Sequence, residues 1–229
     1  MSSVGFSTGA LALGNVMHAL EVLRSKHTDV VELSALRWSE LPALQRALSS
    51  LDLSHFRYKA VHAPTDAPDE CELVARLKEI ADHGLNIVVH PDTIHTFSLW
   101  ERLDARLCIE NMDSRKSTGR TAEELRPIFE KLPKAKLCFD VAHARQVDPT
   151  MTETTRILLT FSDRMVQVHL SEVNSKGRHF SISFTAKLAY RPFAAFLSRV
   201  PVILESPVDE EGIDSEIREA REVLGDFGE

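Results

Sequence analysis

Eight short apolar, β-rich runs alternate with stretches of helical periodicity along the 229 residues, and they predict an α/β chain folded as a single (β/α)8 TIM barrel, with parallel strands inside an outer ring of helices. The runs are nearly continuous in apolar character and lack the polar alternation of a half-wet sheet. A sheet covered on both faces, hence a parallel one, follows from that. The length clears the lower limit of roughly 200 residues for such a barrel. No linker, low-complexity segment or shift in composition breaks the alternation, so residues 1–229 are read as one domain. A doubly wound open sheet is the competing architecture, but Gly5 and Gly9 beside the first run do not make the Gly-rich phosphate fingerprint it would carry.

The runs are VGFS near 4, VVELS near 30, YKAVHAP near 58, NIVVHP near 86, RLCIENM near 106, KLCFDVAH near 136, MVQVHLSE near 165 and PVILESP near 201. Between the third and fourth, ELVARLKEIADHG sets Leu73, Leu77 and Ile80 on one helical face, with Gly84 placed to stop the helix. Between the fifth and sixth, TAEELRPIFEKLP opens on Thr121 with Glu124 three residues on, the spacing of a capping box. The acidic stretch VDEEGIDSE, 208 to 216, reads as the solvated entry to the last helix.

Bulk composition narrows the function classes. Hydrophobic residues make up 43% of the chain, enough for a sizeable core, and 27 Lys plus Arg against 34 Asp plus Glu give a formal charge of −7. No basic block is present to grip nucleic acid or an anionic membrane in general. Cys71, Cys108 and Cys138 are odd in number and have no metal-like spacing, so they are expected as reduced core thiols, which points to the cytoplasm. The N-terminal MSSVGFSTGALALGN lacks a basic region before an apolar stretch, and nowhere do 18 apolar residues run together, so neither a signal peptide nor a membrane span is expected.

The informative pattern lies at the strand ends. Glu32, His62, His90, Glu110, Asp140, His169 and Glu205 close seven successive runs at intervals of 30, 28, 20, 30, 29 and 36 residues. In a barrel these side chains converge on the C-terminal mouth, where such folds place their chemistry. Four carboxylates and three imidazoles cannot crowd together around nothing, because like charges drive protons onto the acids. A divalent cation relieves the conflict. Glu110, Asp140, His169 and Glu205 form a three-carboxylate, one-imidazole set suited to Mn²⁺, Mg²⁺, Co²⁺ or Zn²⁺. His62 and His90 are expected to hold a second ion, with Glu110 bridging, and His143 reaches the same pocket one turn beyond Asp140. In NMDSRKSTGR, Arg115 and Lys116 read either as a lid that meets an anion or as an ordinary solvated loop.

The series VHAP, VVHP, IENM, FDVAH, VHLSE and LESP, spanning roughly residues 4 to 206, resembles the xylose isomerase-like TIM-barrel superfamily, which includes sugar isomerases and epimerases as well as endonuclease IV. The resemblance implies a divalent-metal enzyme with Glu110, Asp140, His169 and Glu205 as shared ligands, and it suggests a homodimer. For the isomerase and epimerase branch it implies a small sugar or sugar phosphate as substrate. Glu110 and Glu205 would then flank that substrate for proton transfer while the ion steadies an enediolate, with His143 as a further catalytic group. Glu32, Arg178 and His179 would contact the substrate, and VVELS resembles the second strand of this branch. For the endonuclease IV branch, His62, His90, His143 and His179 would be zinc ligands of a phosphodiesterase acting on abasic-site DNA. Gly177, however, stands where that branch has an aspartate ligand to its third zinc. A metal-binding barrel without catalysis is the third alternative, since fold does not fix function.

Overall fold

The computed structural model describes residues 2–12, 15–26 and 28–226. All eight expected strands are present: β1 (Val4–Ser7), β2 (Val30–Ser34), β3 (Tyr58–His62), β4 (Asn86–Val89), β5 (Leu107–Glu110), β6 (Lys136–Asp140), β7 (Met165–Leu170) and, last in the chain, β10 (Val202–Leu204). They close in the order β1-β10-β7-β6-β5-β4-β3-β2, each pair parallel. Two further short strands, β8 (Glu172–Val173) and β9 (His179–Phe180), form an antiparallel hairpin after β7 that the apolar pattern did not announce. Its turn is built from polar groups: Asn174 Oδ1 accepts from the backbone N–H of Lys176 and of Arg178, and Gly177 adopts φ +67°. At the barrel wall Gly5 permits close approach of neighbouring strands, since a Cβ there would lie 2.0 Å from the Val30 carbonyl oxygen.

The outer helices follow their sequence signals. Residues Glu70–Asp82 form a helix capped by Asp69, whose Oδ1 accepts from Glu72 N at 2.8 Å, and Leu73, Val74, Leu77 and Ile80 are buried against the barrel. Thr121 caps Ala122–Lys131 by accepting from Glu124 N, but the return arm of the capping box is absent: the Glu124 carboxylate takes Arg120 N at 2.8 Å instead. Cys108 and Cys138 are buried free thiols as expected, whereas Cys71 is exposed on the solvent side of its helix, so it is not a core residue. No described helix is long and apolar enough to cross a membrane.

Inside the barrel, Ala60, Val88, Cys108 and Cys138 form a small apolar cluster apart from the main core, with Tyr58 and Val166 packed against it. Each of those four stands two residues before His62, His90, Glu110 or Asp140. Because strand side chains alternate between faces, this spacing keeps both sets pointing inward, one pleat apart.

Candidate active site

Glu110, at the end of β5, is the hub of the mouth. Its Oε2 lies 3.2 Å from His62 Nε2 and 3.2 Å from His90 Nε2, and its Oε1 lies 3.1 Å from His169 Nδ1 and 3.4 Å from His143 Nδ1. Glu205, just beyond β10, completes the ring, with Oε1 3.5 Å from His169 Nδ1 and Oε2 3.5 Å from His179 Nδ1. Asp140 ends β6 and caps the helix Val141–Val147, its Oδ1 accepting from His143 N at 2.7 Å. That places the carboxylate at a positive helix end and swings the His143 ring back over it, Nδ1 3.5 Å from Asp140 Oδ2. Asn111 ties the two strand ends together by donating to the Asp140 carbonyl and accepting from its N–H, both at 2.8 Å.

Hydrogen bonds fix several tautomers. His62 Nδ1 donates to the Ala63 carbonyl at 3.0 Å, which leaves Nε2 facing Glu110. An imidazole lone pair against a carboxylate oxygen is two acceptors face to face, and either a proton or a cation must lie between them. The electrostatics of the cluster reflect this. Burial works to lower the His62 pKa, but the hydrogen bond and charge of Glu110, with Glu32 and Glu205 beyond, raise it to about 9. His169 is likewise held well above its ordinary value, burial being outweighed by the surrounding acidic groups. Burial pushes the Glu110 carboxyl up, yet the charge and hydrogen bond of His169, then the bonds from His62 and His90, hold it well below the usual range. Asp140, whose burial dominates, is pushed up to about 6 despite the opposing charge of His143.

Does the donor set fit a cation? Glu110, Asp140, His169 and Glu205 each offer one ligand atom, and the four atoms lie within 4.8 Å of one another; His62, His90 and Glu110 make a second such group. Asp140 Oδ2, Glu205 Oε2 and His90 Nδ1 are buried without a hydrogen-bond partner. Buried, unshared carboxylate oxygens in a nest of imidazoles fit a divalent ion of the oxygen- and nitrogen-binding kind. His62, His90, Glu110, His143 and Glu205 line a cavity of about 450 Å³ whose rim carries Arg115, Lys116, Arg178 and His179, while Asp140 and His169 are fully buried beside it.

The rim residues differ in how they are held. The guanidinium of Arg115 is pinned on Asp113, Nη2 to Oδ2 at 2.6 Å and Nε to Oδ1 at 3.0 Å, and Lys116 pairs with Asp92 at 2.7 Å. Arg178 is exposed at the foot of the hairpin turn. Arg115 also lies flat on Gly177, where a Cβ would fall 1.9 Å from its Cζ. Neither Asp113 nor Asn111 was singled out from the sequence, although both stand just past a strand end, within IENMD.

Glu32 is the site residue whose expected place is corrected. β2 runs on to Ser34, and the register sets Ser34 opposite His62 but Glu32 opposite Ala60. Glu32 therefore sits one pleat below the mouth with no exposure, accepting from Gln167 Nε2 at 2.7 Å and facing His169 Nε2 at 3.0 Å. In this structure it offers no surface to a substrate.

Comparison with known proteins gives a consistent picture. The family model described as xylose isomerase-like TIM barrel matches residues 95–226, more than half of the chain. Among solved structures, a candidate sugar phosphate isomerase/epimerase from Anabaena variabilis superposes with a TM-score of 0.66 at 11% identity, covering 100% of both chains. A xylose isomerase-like TIM barrel protein from Mycobacterium smegmatis in complex with magnesium gives 0.57 at 9% identity, covering 92% of this chain and 89% of that one. An L-ribulose 3-epimerase gives 0.53 at 15%, covering 95% and 86%. At these identities the likeness is one of fold. No curated protein matches the chain.

Proposed function

The chain belongs to the xylose isomerase-like TIM barrel family, and from that premise we propose that it is a divalent-metal-dependent isomerase or epimerase of a small sugar or sugar phosphate. The observation that carries this reading is the convergence of ligand atoms from Glu110, Asp140, His169 and Glu205 within 4.8 Å of one another at the edge of the cavity that Glu110 and Glu205 line, with carboxylate oxygens on Asp140 and Glu205 left without a hydrogen-bond partner. These four would hold the ion, with His62 and His90 beside Glu110 offering an alternative position. Bound there, a divalent cation supplies Lewis acidity toward the oxygens of a hydroxy-carbonyl substrate.

The chain's own residues would supply the proton chemistry. Glu205 is the more open of the two flanking carboxylates, and its carboxylate takes the proton from the carbon next to the carbonyl as that C–H bond breaks and its electrons pass into the carbonyl. Glu110, held ionised by the four imidazoles around it, lies on the other side, where the proton that returns would come from a protonated imidazole such as His62, 3.2 Å away, and pass through this carboxylate. His143, fixed through Nδ1 to the Asn111 carbonyl at 3.0 Å, orients a substrate hydroxyl, and His179 and Arg178 bind the far end of the molecule at the rim. A third zinc of the endonuclease kind is disfavoured by the charged guanidinium of Arg115 lying on Gly177, where a ligand side chain would have to be. Neighbouring structures that include an L-ribulose 3-epimerase and a candidate sugar phosphate isomerase/epimerase point the same way.

The test is elemental analysis of protein purified without chelator, followed by solvent deuterium exchange into a panel of ketoses and ketose phosphates. One exchangeable divalent ion per chain with exchange at the α-carbon is the expected result. Full metallation with no exchange, together with cleavage of abasic-site DNA that needs His143 and His179, would replace this reading with the nuclease. Metal without either activity would leave a binding protein.

A further inference from the structure

One charged group in the barrel interior has no part in the chemistry above. Glu32 reaches across the barrel from β2 to β7, has no exposure, and uses a single oxygen, Oε2, for both of its contacts, while Oε1 has no hydrogen-bond partner. A carboxylate at that depth is unfavourable unless donors meet it. The donors come from an ordered chain that begins at the opposite end of the barrel. Arg106 donates to Asn86 Oδ1, Asn86 Nδ2 donates to the Tyr58 hydroxyl at 3.1 Å, and that hydroxyl donates to Gln167 Oε1 at 2.6 Å.

This order fixes the Gln167 amide, whose Nε2 must then face inward, where its two hydrogens meet Glu32 Oε2 at 2.7 Å and Cys138 Sγ at 3.3 Å. None is left for His169 Nε2, although that atom is only 2.9 Å from Gln167 Nε2. The ring nitrogen must itself be the donor, and the acceptor within reach is Glu32 Oε2 at 3.0 Å. With its proton on Nε2, the ring turns Nδ1 toward Glu110 Oε1 and Glu205 Oε1.

We propose that Glu32 is a positioning residue: it grips the Nε2–H of His169, sets the plane and tautomer of that ring, and so leaves Nδ1 as a ligand atom for the ion held with Glu110, Asp140 and Glu205. The carboxylate also makes the imidazole a better donor to a cation, as outer-shell carboxylates do at metal-bound histidines. Gln167 and Tyr58 act one and two steps further back, by denying Glu32 any other arrangement. The half of this inference that concerns the ion rests on the metal reading given above; the hold on the ring does not.

Two measurements on the protein separate these halves. The first is ¹H–¹⁵N NMR of the histidine rings without metal. Wild type should give a slowly exchanging His169 Nε2–H, Glu32→Gln should retain it because the amide carbonyl still accepts, and Glu32→Met should lose it. The second is Mn²⁺ affinity by calorimetry, which outer-shell loss should weaken by about 10- to 100-fold in Glu32→Met, by less in Glu32→Gln, and least in Tyr58→Phe. An unchanged ring proton in Glu32→Met, or wild-type Mn²⁺ affinity in a folded variant, overturns the proposal. If Glu32→Met does not fold, wild-type Mn²⁺ affinity in Glu32→Gln overturns it equally. Failure of the wild type to take up Mn²⁺ would sink the metal reading, and the ring-proton comparison would still decide whether Glu32 holds His169.

Discussion

The same strands build two different interiors one pleat apart. At the mouth, β3 to β7 end within one residue of His62, His90, Glu110, Asp140 and His169. Two residues earlier they present Ala60, Val88, Cys108, Cys138 and Gln167. The upper ring leaves buried polar atoms of Asp140, Glu205 and His90 without partners; the lower layer is apolar except where Glu32 and Gln167 face each other and are joined to Tyr58, and there Glu32 Oε1 is unpartnered too. Depth alone does not explain the difference, since Glu110, Asp140 and His169 are as buried as the residues beneath them. What distinguishes the layers is that the upper one borders a cavity, which under the proposed function a cation and a substrate would fill, while the lower one is enclosed by protein and meets its charge chiefly through Gln167 and His169.

If this contrast is right, removing an upper-ring ligand should abolish function without unfolding the barrel. Asp140→Ala should lose stoichiometric metal, with affinity falling at least about 100-fold, while circular dichroism and the melting profile stay those of a folded barrel. Collapse of the fold would mean that the upper ring is structural after all. Glu205→Gln and Glu110→Gln sharpen the comparison within the ring. Each should lower kcat by about 10² to 10⁴ with a smaller change in KM, read alongside the metal content of each variant and α-proton exchange with solvent. Proportionate loss of metal and activity would make them ligands only.

The lower layer should respond in the opposite sense. Val88 is wholly buried, and Val88→Ala should destabilise the protein by about 2 kcal/mol in denaturant titration, with Mn²⁺ affinity left near the wild-type value. A large loss of metal there would show that the two layers are mechanically coupled. The smallest effect is expected outside the barrel, at Glu70. Its partial burial raises its pKa, but the Thr96 N–H, then the Trp100 indole and the His95 N–H, pull it down to about 2. Because the folded value is depressed, its contribution is present above the unfolded pKa near 4.5 and is lost as pH falls toward about 2. Solvent screening keeps that contribution under about 1 kcal/mol, so Glu70→Gln should narrow the stability difference between pH 6 and pH 3 only slightly in paired denaturant titrations.

Sequence alone determined the eight strands and the helices between them, together with the inward ring at the mouth, because those features rest on short-range rules. A run of apolar β-formers, a cap three residues before its partner amide, and a period of two along a strand are all local. Tertiary structure decided the depth of each residue. Glu32 looked like one more strand end, yet β2 continues to Ser34, and only its register with β3 reveals that it lies level with Ala60, beneath His169. Gln167 and Tyr58 carried no signal in the sequence, because their importance comes from meeting Glu32 across the barrel, 135 residues away in the chain from Gln167. The hairpin of β8 and β9, and the seat that Gly177 gives to Arg115, were hidden for the same reason. A barrel closes through the stagger of all its strands at once, so the facing of side chains across its interior is set by long-range register, which no local pattern encodes.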